Sequence, residues 1–441
     1  MEHALVRRDV AMDDDPMRAQ SRSLLAGCVL AAIALAGCAI LALVKPQGTL
    51  GSAPIVMARE SGAVYVRLGD TLHPTYNLAS ARLIAHLDAD PVMVGTASIA
   101  SVKRGPRMGI PGAPGAIGAP VSDPSWAVCD AERTVVIVGA PTPSLDPSRT
   151  VLVTPRGESA ATTYLLYDGW RAEVDLRDRA IVRALRLDGV VPLRVSRALL
   201  DTVPEVPEVT VPRIAGAGTA GPSSMGGLAV GTVVRVARTD VDEFFVVLVD
   251  GVQRVGAVAA DVIRFAYGGT DDIPTVTPAT VATATLVDTL PVATFPTRAR
   301  LPVGAHDAAL VCARWHHGDI RRGSNTVVLV GNRSVLDVDV TELALADGEG
   351  PHVDGVAVPS GRSVYVQSAR TVGDDGAAGP RFLVTDSGVA FGIRDDEAAS
   401  YLGLPDSPEP APWSILAHLP HGPELSTDAA SVPRDGLPPS P

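Results

Sequence analysis

Few residues could carry nucleotide chemistry, because the chain of 441 residues contains 37 basic residues of which only Lys45 and Lys103 are lysine. A phosphate-binding loop of the Walker A type needs Gly-x-x-x-x-Gly-Lys-Ser/Thr, in which backbone amides surround the phosphates and the lysine reaches the terminal ones. Pro46 follows Lys45, and Arg104 follows Lys103. Neither lysine fits this motif, so the sequence predicts no catalytic residue of this kind.

Two further motifs could indicate a cofactor or a metal. Residues 216–221 match G-x-G-x-x-G, but Pro222 follows at once and no apolar strand precedes, whereas a dinucleotide loop must join a strand to a helix. His316, His317 and Asp319 form a short cluster, yet adjacent histidines on a strand point to opposite faces. We interpret the first motif as flexible linker and the second as solvated loop, and predict neither a cofactor nor a metal site.

The remaining function classes are limited by charge and composition. A net charge of -12 excludes a nucleic-acid binder that works through overall basic charge. Small repeated units outside a membrane could bind cell-wall glycan, but such a module would show clustered exposed aromatics. The four tryptophans are instead dispersed along the chain, at Trp126, Trp170, Trp315 and Trp413. This dispersion argues against a cell-wall-binding module, which we keep as the alternative from another functional class.

An apolar segment near the N-terminus predicts a membrane helix. Residues 24–44 contain 21 residues without a charge or a proline, enough to cross a hydrocarbon core of about 30 Å. Four arginines precede the segment, so the positive-inside rule places residues 1–23 in the cytosol and the rest outside. Leu-Ala-Gly-Cys occurs twice, ending at Cys28 and Cys38, so a lipoprotein signal is an alternative. A cleaved secretory signal is another.

The other two cysteines, Cys129 and Cys312, lie in the large outer region. Two cysteines in an oxidising compartment indicate one disulfide. The alternative is a pair of free buried thiols.

The outer region carries a repeated unit of a strand, a tight turn, a second strand and a small helix. In the first copy the helix covers residues 78–85, and Asn77 is its expected N-cap. The turns of the four copies lie at residues 69–70, 168–169, 250–251 and 386–388. Because four copies in one frame exceed chance, we interpret the Asp and Gly turn residues as structural.

A second repeat lies between these units. Residues 134–139 (TVVIVG) match residues 326–331 (TVVLVG), and each follows a strand that contains a cysteine. The intervals agree, because 180 residues separate Asp70 from Asp250 and 183 separate Cys129 from Cys312. The order is small unit, central strands, small unit, repeated once. A pseudo-twofold axis could therefore bring the two cysteines together in one central β domain.

The predicted fold class is α+β, with one N-terminal transmembrane helix and an elongated, pseudo-twofold region built from a central β domain and four small β-α repeats. The predicted domains are a cytosolic segment (1–23), the transmembrane helix (24–44), repeat 1 (45–100), the first central half (101–160), repeat 2 (161–200), a Pro/Gly linker (201–230), repeat 3 (231–275), the second central half (276–340), repeat 4 (341–404) and a proline-rich disordered tail (405–441).

Several segments closely resemble the EccB component of type VII (ESX) secretion systems. They are residues 44–48 (VKPQG), 61–65 (SGAVY), 72–74 (LHP), 77–83 (NLASARL), 109–114 (GIPGAP) and 126–130 (WAVCD). Together with the single N-terminal helix and the proline-rich end, the resemblance covers essentially the whole chain.

The resemblance implies a single-pass protein of the inner membrane with a large periplasmic region. It implies assembly with the EccC motor ATPase, EccD, EccE and the mycosin protease, and contacts between copies of the chain. Members are often labelled ATPases, so a nucleotide site outside the Walker pattern is an alternative, with ATP as its ligand. The function we expect is structural, within the membrane complex that exports proteins.

Overall fold

The computed structural model describes residues 16–44, 50–140, 145–157, 162–239, 241–267, 272–307, 309–318, 324–332, 339–348, 350, 352–371 and 379–434. Side chains are described for Gln20–Cys38 of the N-terminal helix, and only the backbone for the rest of it. Lys45, Asp319, most of the predicted cytosolic segment and residues 435–441 lie outside the described residues.

The chain forms two compact units. The first comprises residues 1–75, 89–107 and 434–441, and the second comprises residues 76–88 and 108–433. The first unit contains helix α1 (Pro16–Val44) and the sheet of repeat 1.

Repeat 1 contains, in chain order, β1 (Ile55–Ala58), β2 (Val64–Leu68), β3 (Thr71–Thr75), α2 (Leu78–Ala85), β4 (Val92–Val94), α3 (Thr96–Ala100) and β5 (Lys103–Arg104). Its sheet has the order β4-β1-β2-β3-β5. The three inner strands are antiparallel, and the two outer strands run parallel to their neighbours. Helix α2 belongs to the second unit.

Repeat 2 has the same connectivity. After β6 (Ala119–Pro120), β7 (Trp126–Asp130) and β8 (Thr134–Val138) come β9 (Val151–Pro155), β10 (Tyr164–Tyr167), β11 (Trp170–Glu173), α4 (Arg179–Ala184), β12 (Leu193–Val195), α5 (Arg197–Thr202) and β13 (Glu205–Val206). The sheet order is β12-β9-β10-β11-β13, with parallel pairing again at both outer positions. The repetition extends from the single hairpin to the whole sheet.

Repeats 3 and 4 follow the same path, but both outer positions of repeat 3 and one of repeat 4 are reduced to isolated bridges. Repeat 3 contains β14 (Val233–Val236), β15 (Glu243–Leu248), β16 (Gly251–Val255), α6 (Ala257–Ala266) and α7 (Pro278–Ala282). Its outer positions are single parallel bridges, Arg235 to Thr275 and Val252 to Leu286. Repeat 4 comes after β17 (Ala309–Trp315), β18 (Thr326–Asn332), β19 (Thr341–Glu342) and β20 (Gly355–Ala357), and contains β21 (Arg362–Ala369), β22 (Arg381–Thr385), β23 (Ala390–Ile393), α8 (Asp396–Tyr401), β24 (Glu409–Pro412), α9 (Trp413–Leu416) and α10 (Thr427–Ala430).

The predicted strand-turn-strand-helix frame is confirmed in all four repeats. Its local chemistry is confirmed as well, because the Asn77 side chain accepts a hydrogen bond from the Ser80 amide at 2.9 Å and caps α2. Asp178 and Asp395 cap α4 and α8 in the same way. After the first helix, repeats 1 and 2 continue with a parallel strand, a short second helix and a parallel outer strand. The repeats therefore extend beyond the predicted ranges.

The central sheet has the order β18-β17-β7-β8-β20-β19. The four predicted strands lie side by side, with β7 of the first half paired antiparallel to β17 of the second. Strands β8 and β18 flank this pair, so the two halves meet in a pseudo-twofold arrangement. Strands β20 and β19 extend the sheet on one side only.

The first helices of the repeats pack in pairs. Helix α4 of repeat 2 contacts α6 of repeat 3, where the Arg183 guanidinium lies 4.3 Å from the centroid of the Phe265 ring. Helix α2 contacts α8 and α10, with the rings of His86 and Tyr401 stacked at 5.0 Å. Each helix thus buries its apolar face against an element from the other half of the chain.

Residues 201–230 are not the flexible linker that their composition suggests. Val209, Ile214 and Met225 are buried in apolar clusters with residues of repeats 2 and 3. The G-x-G-x-x-G segment pairs with residues 228–230 through the bonds Gly218 N–H to Val230 O (2.9 Å) and Gly221 N–H to Leu228 O (3.1 Å). The apolar residues between the glycines and prolines pack against repeats 2 and 3, so the segment is part of the folded structure.

The disordered tail expected from residue 405 also needs correction for the residues described, up to Arg434. Strand β24 pairs with β21 at the edge of the repeat 4 sheet, where prolines are tolerated. Ile415, Leu416 and Leu419 behind it are buried at 0%, 0% and 3% exposure. Proline content indicates an extended chain but does not show whether that chain is paired.

Candidate functional site: the central sheet and the membrane helix

The junction between the halves is defined by two residue pairs on β7 and β17. Cys129 lies opposite Cys312, and Trp126 lies opposite Trp315. All four residues are buried, with 0% exposure. The equivalent positions that the sequence assigns to the cysteines therefore become neighbours across the pseudo-twofold axis.

The structure joins Cys129 and Cys312 by a disulfide, with sulfurs 2.07 Å and Cα atoms 4.0 Å apart. The sequence separation is 183 residues. In the chain-entropy model a loop of this size stabilises the folded state by about 5 kcal/mol. The bridge holds together strands that belong to different halves of the duplicated chain.

The two faces of the central sheet have different roles. On one face Trp126 and Trp315 join a large apolar cluster that includes residues of repeats 2 and 4. On the other face the cystine packs with Ala127, Ile137 and Leu310 in a separate cluster. The tryptophans thus connect the sheet to the repeats, and the disulfide fixes the opposite face.

A buried ionic network lies at the end of β7, and sequence reasoning missed it. Asp130 is 2% exposed, and its carboxylate accepts hydrogen bonds from the amide of Ser196 and, at 3.0 Å, from the Ser196 hydroxyl. Arg156 approaches the same carboxylate at 4.0 Å. Burial raises the pKa of Asp130 above its ordinary value, and the Arg156 charge and the Ser196 hydrogen bonds oppose this increase.

The network links the central sheet to repeat 2. Ser196 caps α5 by accepting a hydrogen bond from the Leu199 amide at 3.1 Å, and Arg156 follows β9 directly. The Arg156 guanidinium also donates to the carbonyl of Ala131 at 3.0 Å and to the Thr134 hydroxyl at 3.2 Å. In the sequence, the only signal for this site is an acidic residue, Asp130, directly after four apolar residues of a strand.

A second buried carboxylate ties the central sheet to the second half of the chain. Asp354 is 1% exposed and accepts hydrogen bonds from the amides of Thr134 (2.7 Å), Asp347 (2.9 Å) and Gly348 (2.6 Å). Thr134 begins β8, and Asp354 directly precedes β20. The Asp354 carboxylate therefore binds backbone amides from both halves of the chain, and we assign it a structural role.

Helix α1 is the one helix in the described part of the chain that is long and apolar enough to cross a membrane. The qualifying span is Gln20–Cys38, and none of it is buried by the rest of the chain. Leu25, Leu30 and Leu35 are exposed by 69%, 67% and 71%. Cys28 and Cys38 are free and exposed on the helix. An exposed apolar surface of this length matches a lipid environment.

The described residues that the sequence offers for enzymatic chemistry are exposed or paired with a carboxylate. Lys103 is exposed on β5, where its ammonium pairs with Asp70 at 2.6 Å. His316 pairs with Asp123 at 3.3 Å, while its neighbour His317 is exposed. Over the residues that the structure describes, no group of three or more His, Cys, Asp or Glu side chains is arranged to hold a metal ion.

The fold defines a class of protein with one apolar N-terminal helix and two disulfide-linked halves, each built of repeats around central strands. A family model described as "Type VII secretion system ESX-1, transport TM domain B" matches residues 1–439. The chain belongs to this family, the EccB family of type VII secretion systems.

Related proteins agree in length and sequence. The "ESX-3 secretion system ATPase EccB3" of Mycolicibacterium smegmatis is 34% identical, with 97% of this chain and 87% of the relative covered. The "ESX-5 secretion system ATPase EccB5" of Mycobacterium tuberculosis is 33% identical, with 99% and 91% covered.

Solved structures agree as well. A chain described under "Structure of an intact ESX-5 inner membrane complex" matches with a TM-score of 0.71 and 31% identity, covering 99% of this chain and 93% of its own length. A chain from "Structure of EccB3 dimer from the ESX-3 core complex" gives 0.71 and 33%, covering 86% of this chain and 100% of its own length.

Proposed function

We propose that this chain is a structural, non-enzymatic subunit of an ESX inner membrane complex that exports proteins. Its proposed partners are EccC, EccD, EccE and the membrane-anchored mycosin protease, together with further copies of the same chain. It is proposed to need no cofactor and to bind no nucleic acid.

One observation carries the proposal. A chain of an intact ESX-5 inner membrane complex aligns with 99% of this chain, so the alignment includes the apolar helix as well as the repeats. A second structural neighbour is described as the periplasmic assembly of the ESX-5 complex and covers 90% of this chain. These neighbours support an anchored subunit whose larger part lies outside the membrane.

The chain's own features support the same topology. Four arginines precede the apolar span, which favours a cytosolic N-terminus and a periplasmic outer region. The Cys129–Cys312 disulfide suits an oxidising compartment. A reporter enzyme that works only in the periplasm should be active when it is fused after Leu50. A reporter that works only in the cytosol should be inactive at the same position.

The proposal differs from the ATPase names of the relatives. The sequence contains no Walker lysine, and Lys103 is held at an exposed sheet edge by an ion pair with Asp70. The buried charged groups Asp130, Arg156 and Asp354 all contact backbone or one another. These contacts support packing between elements of the fold.

Self-association is proposed because one structural neighbour is described as an EccB3 dimer, with all of that chain covered. The described outer region supplies the contacts, while the helix supplies the anchor.

Purification of the tagged full-length chain from native membranes in mild detergent tests the proposal. Quantitative mass spectrometry should recover EccC, EccD and EccE with the chain. A matched control replaces residues 24–44 with a cleaved secretory signal, and this soluble form should recover none of the three. Recovery of the anchored chain without any of them would contradict the proposal.

A further inference from the structure

A cleft between repeats 2 and 3 is not used by any structural role described above. Its volume is about 700 Å³, and its walls come from residues 148–150, 167–168, 241–244, 254–257, 296–298 and Arg300. This size lies in the range of sites that hold small ligands or short peptide segments.

The cleft is rich in guanidinium groups. Arg149, Arg254, Arg298 and Arg300 line it in a chain whose net charge is -12. Leu152 and Thr150 exchange backbone hydrogen bonds with Val303, so the segment that carries Arg149 runs beside the segment that carries Arg300. Like charges on adjacent extended segments repel one another unless counter-charges are present.

Three acidic residues, Asp168, Asp242 and Glu243, also line the cleft, and each interacts with another residue. Glu243 pairs with Arg254 at 2.9 Å, and Asp242 pairs with Arg235, which lies outside the cleft, at 3.5 Å. Just outside the cleft, hydrogen bonds from Ser148 lower the pKa of Asp146, and the charges of Arg149 and Arg300 lower it further. The lining of the cleft thus carries four arginines against three carboxylates, an excess of one positive charge.

Two side chains in the cleft have no polar partner among the described residues. Arg298 is exposed, and neither a hydrogen bond nor an ion pair joins its side chain to another described residue. Thr150 is 7% exposed, and its hydroxyl is buried without a hydrogen-bond partner there. Of the two, the exposed Arg298 guanidinium is the group that a ligand in the cleft can reach.

The spacing of the arginines favours an extended ligand over a compact one. Arg298 and Arg300 both line the cleft, while Ala299 between them packs against the apolar cluster of repeats 2 and 3. An extended ligand presents alternate side chains on one face, about 7 Å apart, so two acidic side chains at alternate positions can reach two arginines of the lining. Arginine binds carboxylates through paired hydrogen bonds.

We propose that this cleft binds an extended acidic peptide segment of a partner protein, with Arg149, Arg298 and Arg300 binding carboxylates at alternate ligand positions. The binding is direct and does not depend on membership of the membrane complex. It gives the outer region a docking point separate from the central sheet.

Fluorescence anisotropy tests the proposal with the full-length chain in detergent and a labelled peptide that carries glutamate at alternate positions. The peptide should bind, and binding should weaken strongly between about 50 and 200 mM salt, since exposed charges are screened. Arg298→Glu and Arg149→Glu should each weaken binding at least about tenfold, the effect of losing one charge-assisted contact.

Arg213→Glu is the matched control, because Arg213 is an exposed arginine that does not line the cleft. It changes the net charge equally and should leave the peptide affinity within about twofold, as expected for a distant exposed charge. Circular dichroism checks that all variants are folded. Equal binding of the glutamine version of the peptide, equal loss in Arg213→Glu, or binding of tripolyphosphate without binding of the peptide would each overturn the proposal.

Discussion

Trp126 and Trp315 lie directly opposite each other on β7 and β17, and neither indole is exposed. Three residues further along β7, and three residues back along β17, Cys129 and Cys312 form the disulfide on the opposite face of the same two strands. A duplicated chain thus joins its halves at one place in two ways, by a covalent bond on one face of the sheet and by two buried tryptophans in a shared apolar cluster on the other.

Removing the disulfide should destabilise the fold without unfolding the individual repeats. The double variant Cys129→Ala with Cys312→Ala should lose about 2–5 kcal/mol of unfolding free energy, because the unfolded chain regains the freedom that the bridge removes. Thermal unfolding of the full-length chain in detergent measures this.

The matched control for that variant is Cys28→Ala with Cys38→Ala, which removes two free cysteines exposed on the helix. It should leave the unfolding of the outer region unchanged. Non-reducing peptide mapping provides an independent check, and recovery of Cys129 and Cys312 as free thiols would refute the bridge.

The buried ionic network predicts an asymmetry between two substitutions at Asp130. Asp130→Ala should cost about 3–5 kcal/mol, because it leaves Arg156 buried without its counter-charge and the Ser196 amide without its acceptor. Asp130→Asn should cost less, since the amide oxygen still accepts from Ser196. Urea unfolding of both variants measures the difference, and equal stability of Asp130→Ala and wild type would exclude a stabilising role for the network.

The contact between Asp201 and His418 predicts a specific pH dependence. Burial tends to raise the pKa of Asp201, but the hydrogen bond from His418 at 3.1 Å and the charges of His418, Arg171 and Arg197 outweigh it, so the pKa lies below its ordinary 3.8. A carboxylate with a lowered pKa stabilises the fold above its unfolded pKa, and this contribution is lost as the pH falls through the folded value.

Asp201→Asn should therefore lower stability at pH 7 and have no effect at a pH below the lowered pKa. Unfolding free energies of wild type and variant, measured from about pH 7 down to about pH 2, give the comparison. A difference that stays constant with pH would show that the carboxylate charge does not contribute.

Much of this fold could be predicted from the sequence because its signals are local. Asp-Gly turns between apolar strands, an N-cap such as Asn77 and an uncharged apolar span each depend on neighbours in the chain. The duplication then placed Cys129 and Cys312 in equivalent positions. Local signals and one internal repeat were sufficient for the helix, the hairpins and the pairing of the two halves.

The second half of each repeat escaped prediction for a physical reason. The outer strands contain as few as two residues, such as Lys103–Arg104 and Glu205–Val206, and they pair in parallel with strands distant in sequence. No period can be detected in so short a segment. The same limit applies to residues 409–416, where the proline content gave no indication of an edge strand and of a short helix that buries Ile415 and Leu416.

The buried network and the arginine cleft escaped prediction because they form only in three dimensions. Asp130 and Ser196 are separated by 66 residues, and Arg149 and Arg300 come from segments on either side of repeats 2 and 3. Aspartate, serine and arginine are common on protein surfaces, so their positions in the sequence indicate no site. Only the fold shows that Asp130 and Ser196 are buried together and that Arg149 and Arg300 line the same cleft.

ATP hydrolysis by the highly purified full-length chain tests the central claim, a structural and non-enzymatic role, most directly. The rate should equal that of a mock preparation at every purification step, and Lys45→Ala and Lys103→Ala should not change it. Turnover that stays in constant proportion to the chain through successive steps, or that falls when Lys103 is replaced, would contradict the structural role and establish a nucleotide site in this protein.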